Sequence, residues 1–257
     1  MTAAALQVEC PVCTAGALKD LELRRSLSGR QVRIALCPEC LVLVNTDSDR
    51  SERLQQEGSR SFYGLSPEQI AELPRALVDA ANLVRSLLPA GWTDLREKTF
   101  LEFGSGRGLL PIAAAHLGFA RSWGVDLNLE TFEQVSRHLP VPGSVRMVRE
   151  LDVVEGAVDL VVLWHTLEHI PRPAVLLRRL AERTRVEGWI VVQVPQYCPE
   201  YICETHHHFY TEPALTRVLE AAGYAPERVA YDLDNAFIAA WARRTPRGAA
   251  SPSGRGR

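Results

Sequence analysis

The sequence predicts an α/β protein: a mostly parallel sheet, helices on both faces, a C-terminal antiparallel hairpin, and a small cysteine module in front. Three observations carry this. Beyond Gly91, short apolar runs with strand character alternate with stretches of helical periodicity, the pattern of β-α-β units. A glycine-rich stretch, Gly104-Ser105-Gly106-Arg107-Gly108, joins the first of these strands to the first of these helices. Near the N-terminus, two Cys-x-x-Cys pairs, Cys10/Cys13 and Cys37/Cys40, bracket a segment of alternating polar and apolar residues.

Taken in order, residues 1–45 form the cysteine module, whose Gln31–Leu36 alternation reads as a short strand and which is too small to build its own core. Residues 46–90 form a helical connector. It turns polar at Asp47 and starts a helix at Ser66-Pro67-Glu68-Gln69, with Leu73, Leu77, Val84, Leu87 and Leu88 as its apolar face. Phe62-Tyr63, just before that helix, are two rings placed either to pack or to close a cleft from the N-terminal side.

Residues 91–244 carry the alternation. Strands are expected at Phe100–Phe103, Ser122–Asp126, Val145–Val148, Val158–Trp164 and Trp189–Val194. Helices are expected at Leu109–Leu117, Leu129–His138, Pro173–Arg185 and Glu212–Ala222. Arg228–Tyr231 and Phe237–Trp241 are read as the hairpin. Sheets of this kind bind ligands beyond the carboxyl ends of their strands. Residues 245–257, with several arginines, no acids and many small residues, read as a disordered tail.

Composition narrows the function classes. An apolar share of 46% and a charged share of 23% over 257 residues fit an ordinary globular chain. The net charge of -2 is evenly spread, which weighs against binding a phosphate backbone and so against a nucleic-acid partner. No run is long and apolar enough for a membrane span and the first residues do not read as a signal peptide, so a cytoplasmic protein is expected. The oligomeric state is left open.

Two Cys-x-x-Cys pairs separated by about two dozen residues match the spacing of a four-cysteine zinc site, with Cys10, Cys13, Cys37 and Cys40 as ligands. Four thiolates fill a tetrahedral ion completely, so the zinc would be structural. Free thiols are the alternative, and disulfides are disfavoured in a reducing compartment. Cys198 and Cys203 lack such spacing and read as ordinary thiols.

The glycine loop does not fit a dinucleotide fingerprint, because Gly108 falls one residue early and Leu109 takes the place of the third glycine. No Gly-Lys-Ser/Thr follows it, which excludes a P-loop. An acid inside the strand before Gly-x-Gly-x-Gly, as in Leu101-Glu102-Phe103-Gly104-Ser105-Gly106-Arg107-Gly108, instead resembles motif I of the class I S-adenosylmethionine methyltransferases. Trp123-Gly124-Val125-Asp126-Leu127 is similar to their second strand. Val158 through Ile170 is similar to their fourth-strand motif, Glu187 through Val192 to their fifth-strand entry, and His206 through Thr211 to a histidine-rich segment before a helix.

These matches cover roughly residues 99 to 223 in family order. They imply a Rossmann-like fold and S-adenosylmethionine as cofactor. The implied binding set is Glu102, Gly104, Ser105, Gly106, Gly108, Asp126, Leu127 and His165, with Asp126 on the ribose hydroxyls. Of Glu150 and Asp152, the resemblance favours Asp152 for the adenine amino group.

A cysteine module before such a domain is similar to bacterial enzymes that methylate sugars or secondary metabolites, although the large extra C-terminal domain of the deoxysugar C-methyltransferases is not present in this sequence. The expected acceptor is therefore a small molecule, a saccharide or natural-product intermediate, methylated on oxygen or carbon. Ribosomal-RNA guanine methyltransferases also pair a cysteine module with this domain, and a non-catalytic zinc-ribbon binding protein is the third reading. If the acceptor must lose a proton, a histidine is the natural base near neutral pH. His165, at the end of the fourth strand, and His208, in a segment placed to overhang the cleft, are the candidates, with Tyr197 and His206 through Tyr210 as further walls. His169 reads as structural.

Overall fold

The computed structural model describes residues 5–14, 17–26, 28–47, 64–198 and 201–246. They form two sheets. Phe62-Tyr63 and the tail from residue 247 lie outside the described residues.

The larger sheet has seven strands. Five are parallel: β5 (Thr99–Phe103), β6 (Arg121–Val125), β7 (Val145–Val148), β8 (Val158–Trp164) and β9 (Thr184–Pro195). The hairpin β11 (Tyr224–Tyr231) and β12 (Phe237–Arg244) adds antiparallel to β9, giving the order β11-β12-β9-β8-β5-β6-β7. This is the expected Rossmann-like methyltransferase arrangement.

The central strand β8 is buried on both faces, so its residues sort by parity. Leu160 and Val162 face a core built by α1 (Pro67–Leu87) and α2 (Leu109–His116), through Val84, Leu87, Leu110 and Ala113. Val161 and Leu163 face the opposite core, where α4 (Pro173–Arg183) and α5 (Glu212–Ala222) contribute Leu177, Leu180, Leu215 and Leu219. The remaining helix, α3 (Glu130–Ser136), packs through Val135 against Leu73 and Ile112. Helix α1 begins where the sequence placed it: the Ser66 hydroxyl accepts from the Gln69 N–H at 3.3 Å while Gln69 Oε1 accepts from the Ser66 N–H at 3.0 Å, a reciprocal cap.

At the opposite end of the strands from the glycine loop, the buried Asp159 carboxylate accepts from the Thr99 N–H at 3.0 Å and from Arg185 Nε at 3.0 Å, tying β5, β8 and β9 together. Several boundaries shift from expectation: the hairpin strands reach back to Tyr224 and on to Arg244, the helix expected over Leu129–His138 spans Glu130–Ser136, and the largest shift is at β9. Helix α4 stops at Arg183 and β9 begins at Thr184, earlier than the expected Trp189, because the β-branched Thr184 turns extended and its hydroxyl donates back to the Leu180 carbonyl at 2.8 Å.

The smaller sheet is antiparallel, in the order β1 (Ala5–Glu9), β2 (Ala17–Arg25), β3 (Gln31–Leu36), β4 (Leu43–Asn45) and β10 (His208–Phe209). Its fifth strand thus comes from far beyond the expected 1–45 boundary. His208 pairs with Val44 and Phe209 with Leu43. The described residues between β9 and α5 form a strap fastened to the module at several points. The Asn45 N–H donates to the His207 carbonyl at 2.9 Å and Asn45 Nδ2 to the His206 carbonyl at 3.2 Å. Ser26 Oγ donates to Glu204 at 2.7 Å, and the Tyr197 hydroxyl donates to Glu22. The cores are continuous: Cys10, Cys37, Cys40 and Val42 belong to the same buried cluster as Tyr210 and Leu215. Among the described residues, no helix is long and apolar enough to cross a membrane.

Candidate cofactor and acceptor site

All three loop glycines adopt left-handed backbone, with φ of 76° at Gly104, 48° at Gly106 and 72° at Gly108, where a side chain is strained. At Gly104 there is also no room: a Cβ would stand 2.4 Å from the Thr166 side chain, just past β8. The loop therefore lies directly on the carboxyl end of the central strands. We expect Gly104→Ala to cost about 2 kcal/mol or more, since left-handed backbone alone costs an L-residue about 1–2 kcal/mol. A chain of this size should then melt at least about 4 °C lower. An unchanged thermal midpoint would show that the loop yields.

The acids expected to meet the cofactor flank this loop. Asp126 Oδ2 accepts from the Gly106 N–H at 2.7 Å and Oδ1 from the Asn128 N–H at 2.9 Å, which fixes the carboxylate at the end of β6. Glu102, 5% exposed on β5, is pushed well above the ordinary carboxyl range by burial and then by the charge of Asp126. Its Oε2 and the Ser105 hydroxyl are buried with no hydrogen-bond partner among the described residues. Leaving such atoms orphaned costs about 1–3 kcal/mol each, so they suit a ligand with hydroxyl and amino groups. Leu127, fully apolar and 86% exposed next to Asp126, offers a face for a flat ring. These residues fit S-adenosylmethionine.

Asp152, expected at the adenine amino group, is exposed beside α4. Its carboxylate pairs with Arg179 at 2.9 Å and Arg183 at 3.7 Å, both on α4, and these charges hold it below the ordinary carboxylate range. The ion pairs compete directly with any adenine contact. Glu150 is exposed at the N-cap of the short turn Leu151–Val153.

His165 stands at the carboxyl end of β8 with a left-handed φ of 51°, uncommon for a residue with a side chain and characteristic of functional sites. Its ring lies edge-on to Phe237 at 4.6 Å, and Nδ1 is 3.9 Å from Glu168 Oε1. Burial, then the neighbouring His169, lowers its pKa below the usual histidine value. His208, the other candidate base, is 1% exposed inside β10, and burial pushes it down to about 3. Of the two candidate bases, His165 is the one with solvent exposure.

The structure separates the histidine run. His207 and His208 are buried, whereas the partly exposed His206 ring lies 4.7 Å from His169. Sequence reasoning missed Glu168, which is 1% exposed, raised to about 8 by burial, and has Oε2 without a partner among the described residues. Tyr210, expected as a wall of the cleft, has a buried hydroxyl pushed well above its usual value by burial, then by nearby Glu168, Cys10 and Cys40. A carboxylate set between histidines in His165-Thr166-Leu167-Glu168-His169 was the available signal for Glu168.

The four cysteines converge. Cys10 Sγ lies 3.7 Å from Cys40 Sγ, and Cys13 Sγ lies 3.6 Å from Cys37 Sγ. A tetrahedral ion with bonds of about 2.3 Å requires sulfurs about 3.8 Å apart, so the donor set fits zinc. Each pair sits on a tight knuckle, closed by Thr14 N–H to Cys10 O and by Leu41 N–H to Cys37 O, both at 2.9 Å.

With the geometry in place, the family model for a methyltransferase domain matches residues 75–229. The chain is 28% identical over 107 residues to the ubiquinone biosynthesis O-methyltransferase of Neisseria meningitidis serogroup C, covering 39% of this chain and 45% of that protein. It is 29% identical over 149 residues to the enzyme of the same name from Aeromonas salmonicida, covering 49% and 62%. It thus spans about half the length of the curated relatives it matches. The fold resembles that of Burkholderia thailandensis 1,6-didemethyltoxoflavin-N1-methyltransferase, solved with 1,6-didemethyltoxoflavin and S-adenosylhomocysteine. That likeness has a TM-score of 0.56 at 19% identity and covers 84% of this chain and 96% of that one. With more than half its length matched, the chain belongs to this methyltransferase domain family.

Proposed function

We propose that the protein transfers the methyl group of S-adenosylmethionine to a small-molecule acceptor, a saccharide or natural-product intermediate, on oxygen or carbon. The observation that carries this reading is the left-handed glycine loop set between the orphaned Glu102 carboxyl and the pinned Asp126 carboxylate. The relatives named as O-methyltransferases support a hydroxyl acceptor. When bound, the cofactor supplies an electrophilic methyl on sulfur. The chain's own work is then chiefly positioning, since the acceptor must line up behind that carbon. Asp126 would hold the ribose hydroxyls, Glu102 and Ser105 the groups nearest the loop, and Leu127 one face of the adenine. His165 would receive a proton from the acceptor.

Asp126 tests the cofactor half of this reading without an acceptor. Hydrogen bonds to a charged group contribute roughly 1.5–3 kcal/mol, so Asp126→Ala should weaken S-adenosylmethionine binding at least tenfold by calorimetry. Equal affinity in parent and variant would remove Asp126 from the site. Screening acceptors against protein with cofactor bound then identifies the second substrate.

A further inference from the structure

We propose that Glu168, His169 and His206 form a second metal site, which takes a divalent transition ion of the zinc or iron(II) class through two imidazoles and one carboxylate. One donor atom from each residue lies within 4.8 Å of the others. An ion with bonds of about 2.0–2.2 Å draws its ligands to about 3–3.5 Å apart, a closure that side-chain rotation supplies. Glu168 Oε2 and His206 Nδ1 are both buried with no partner among the described residues. The Glu168 carboxyl is thus enclosed almost completely beside histidine rings, with an oxygen left over.

Both rings are already oriented as ligands are. A carbonyl oxygen can only accept, so His169 donates from Nδ1 to the Thr205 carbonyl at 2.9 Å, and His206 is hydrogen-bonded to the Tyr201 backbone. Each bond fixes its ring, the backing that metal-bound histidines ordinarily carry, and in His206 the buried Nδ1 has no partner among the described residues. The third ligand arrives on the strap, and its register is set by the module. The His207 N–H donates to the Glu168 carbonyl at 2.8 Å and Asn45 Nδ2 donates to the His206 carbonyl, which clamps His206 beside the carboxylate.

Two imidazoles and a carboxylate favour zinc, cobalt, nickel or iron(II) over magnesium or calcium, which prefer oxygen donors alone. Three protein ligands leave coordination positions open, unlike the closed set of four thiolates. His165 Nδ1, 3.9 Å from Glu168 Oε1, puts this centre at the same strand end as the candidate base. An open position there would face an acceptor hydroxyl. That consequence rests on the methyl-transfer reading, whereas the binding itself does not.

The test is cobalt(II) uptake by zinc-loaded full-length protein, followed by equilibrium dialysis and visible absorption. One further equivalent should bind, with the weak bands of nitrogen and oxygen ligation and without thiolate charge transfer. Glu168→Gln and His206→Ala should each lower that affinity at least tenfold while leaving the zinc count unchanged. No additional equivalent in the parent, or equal uptake by parent and a folded His206→Ala, overturns the proposal. Because the His206 ring is only partly buried, that variant decides the matter even if Glu168→Gln does not fold. Failure of S-adenosylmethionine to bind in calorimetry would overturn the methyl-transfer reading and leave this one standing.

Discussion

Freshly purified protein should carry about one thiolate-bound zinc per chain, and stripping it should unfold the small sheet together with the strap residues 201–211. Structural zinc in small modules contributes on the order of 10–16 kcal/mol at neutral pH, more than the whole stability of most domains. The module has no independent means of replacing it, because Cys10, Cys37 and Cys40 are themselves part of its core. Once β3 and β4 loosen, β10 loses its pairing to Leu43 and Val44, and His206 loses the Asn45 clamp. Hydrogen exchange before and after chelation should therefore show protection lost over residues 31–45 and 206–210 at once. Protection should be retained in β5, β8 and the glycine loop, whose hydrogen bonds are made within the larger sheet. A Cys37→Ser variant should behave as the chelated parent. Metal-free protein with the small sheet fully protected would show that the four sulfurs are simple thiols.

This coupling lies largely beyond what the sequence makes legible. The parallel sheet is readable because β8 and β9 are rich in Val, Leu and Ile and β5 in Phe and Leu, in short runs at regular intervals, and a buried parallel strand needs little else. The glycine loop and Asp126 were readable because backbone conformation and carboxylate position depend on local spacing. Pairing between β4 and β10 depends on two residues meeting a strand more than 160 positions away, and two residues carry no periodicity. Asp152 shows a different limit. The sequence placed an acid after the third strand, but Arg179 and Arg183 arrive from a helix whose facing only the packed structure fixes. The histidines on either side of Glu168 are visible in the sequence, but its burial is not, because it depends on the strap returning from residues 201–211 to cover it.

Replacing His165 should lower turnover by about 10²–10⁴ with the acceptor found by screening, and leave S-adenosylmethionine affinity nearly unchanged, if this ring accepts the acceptor's proton. Asparagine is the better replacement. It tolerates the left-handed backbone that His165 adopts, where alanine would add strain unrelated to proton transfer. The pH dependence gives an independent sign. Burial and His169 lower the His165 pKa, so the ring is neutral and able to accept a proton at pH 7, and turnover should fall only as pH drops through a value below that of an ordinary histidine. The same depression means the unfolded chain binds more protons than the folded one in that interval, so stability also falls with pH there. Circular dichroism across the range separates the two effects, since a catalytic limb appears while the fold is intact. In His165→Asn the limb should vanish together with the rate. A variant that keeps the acid limb, or loses cofactor affinity and turnover in equal measure, would show that His165 supports the site without taking the proton.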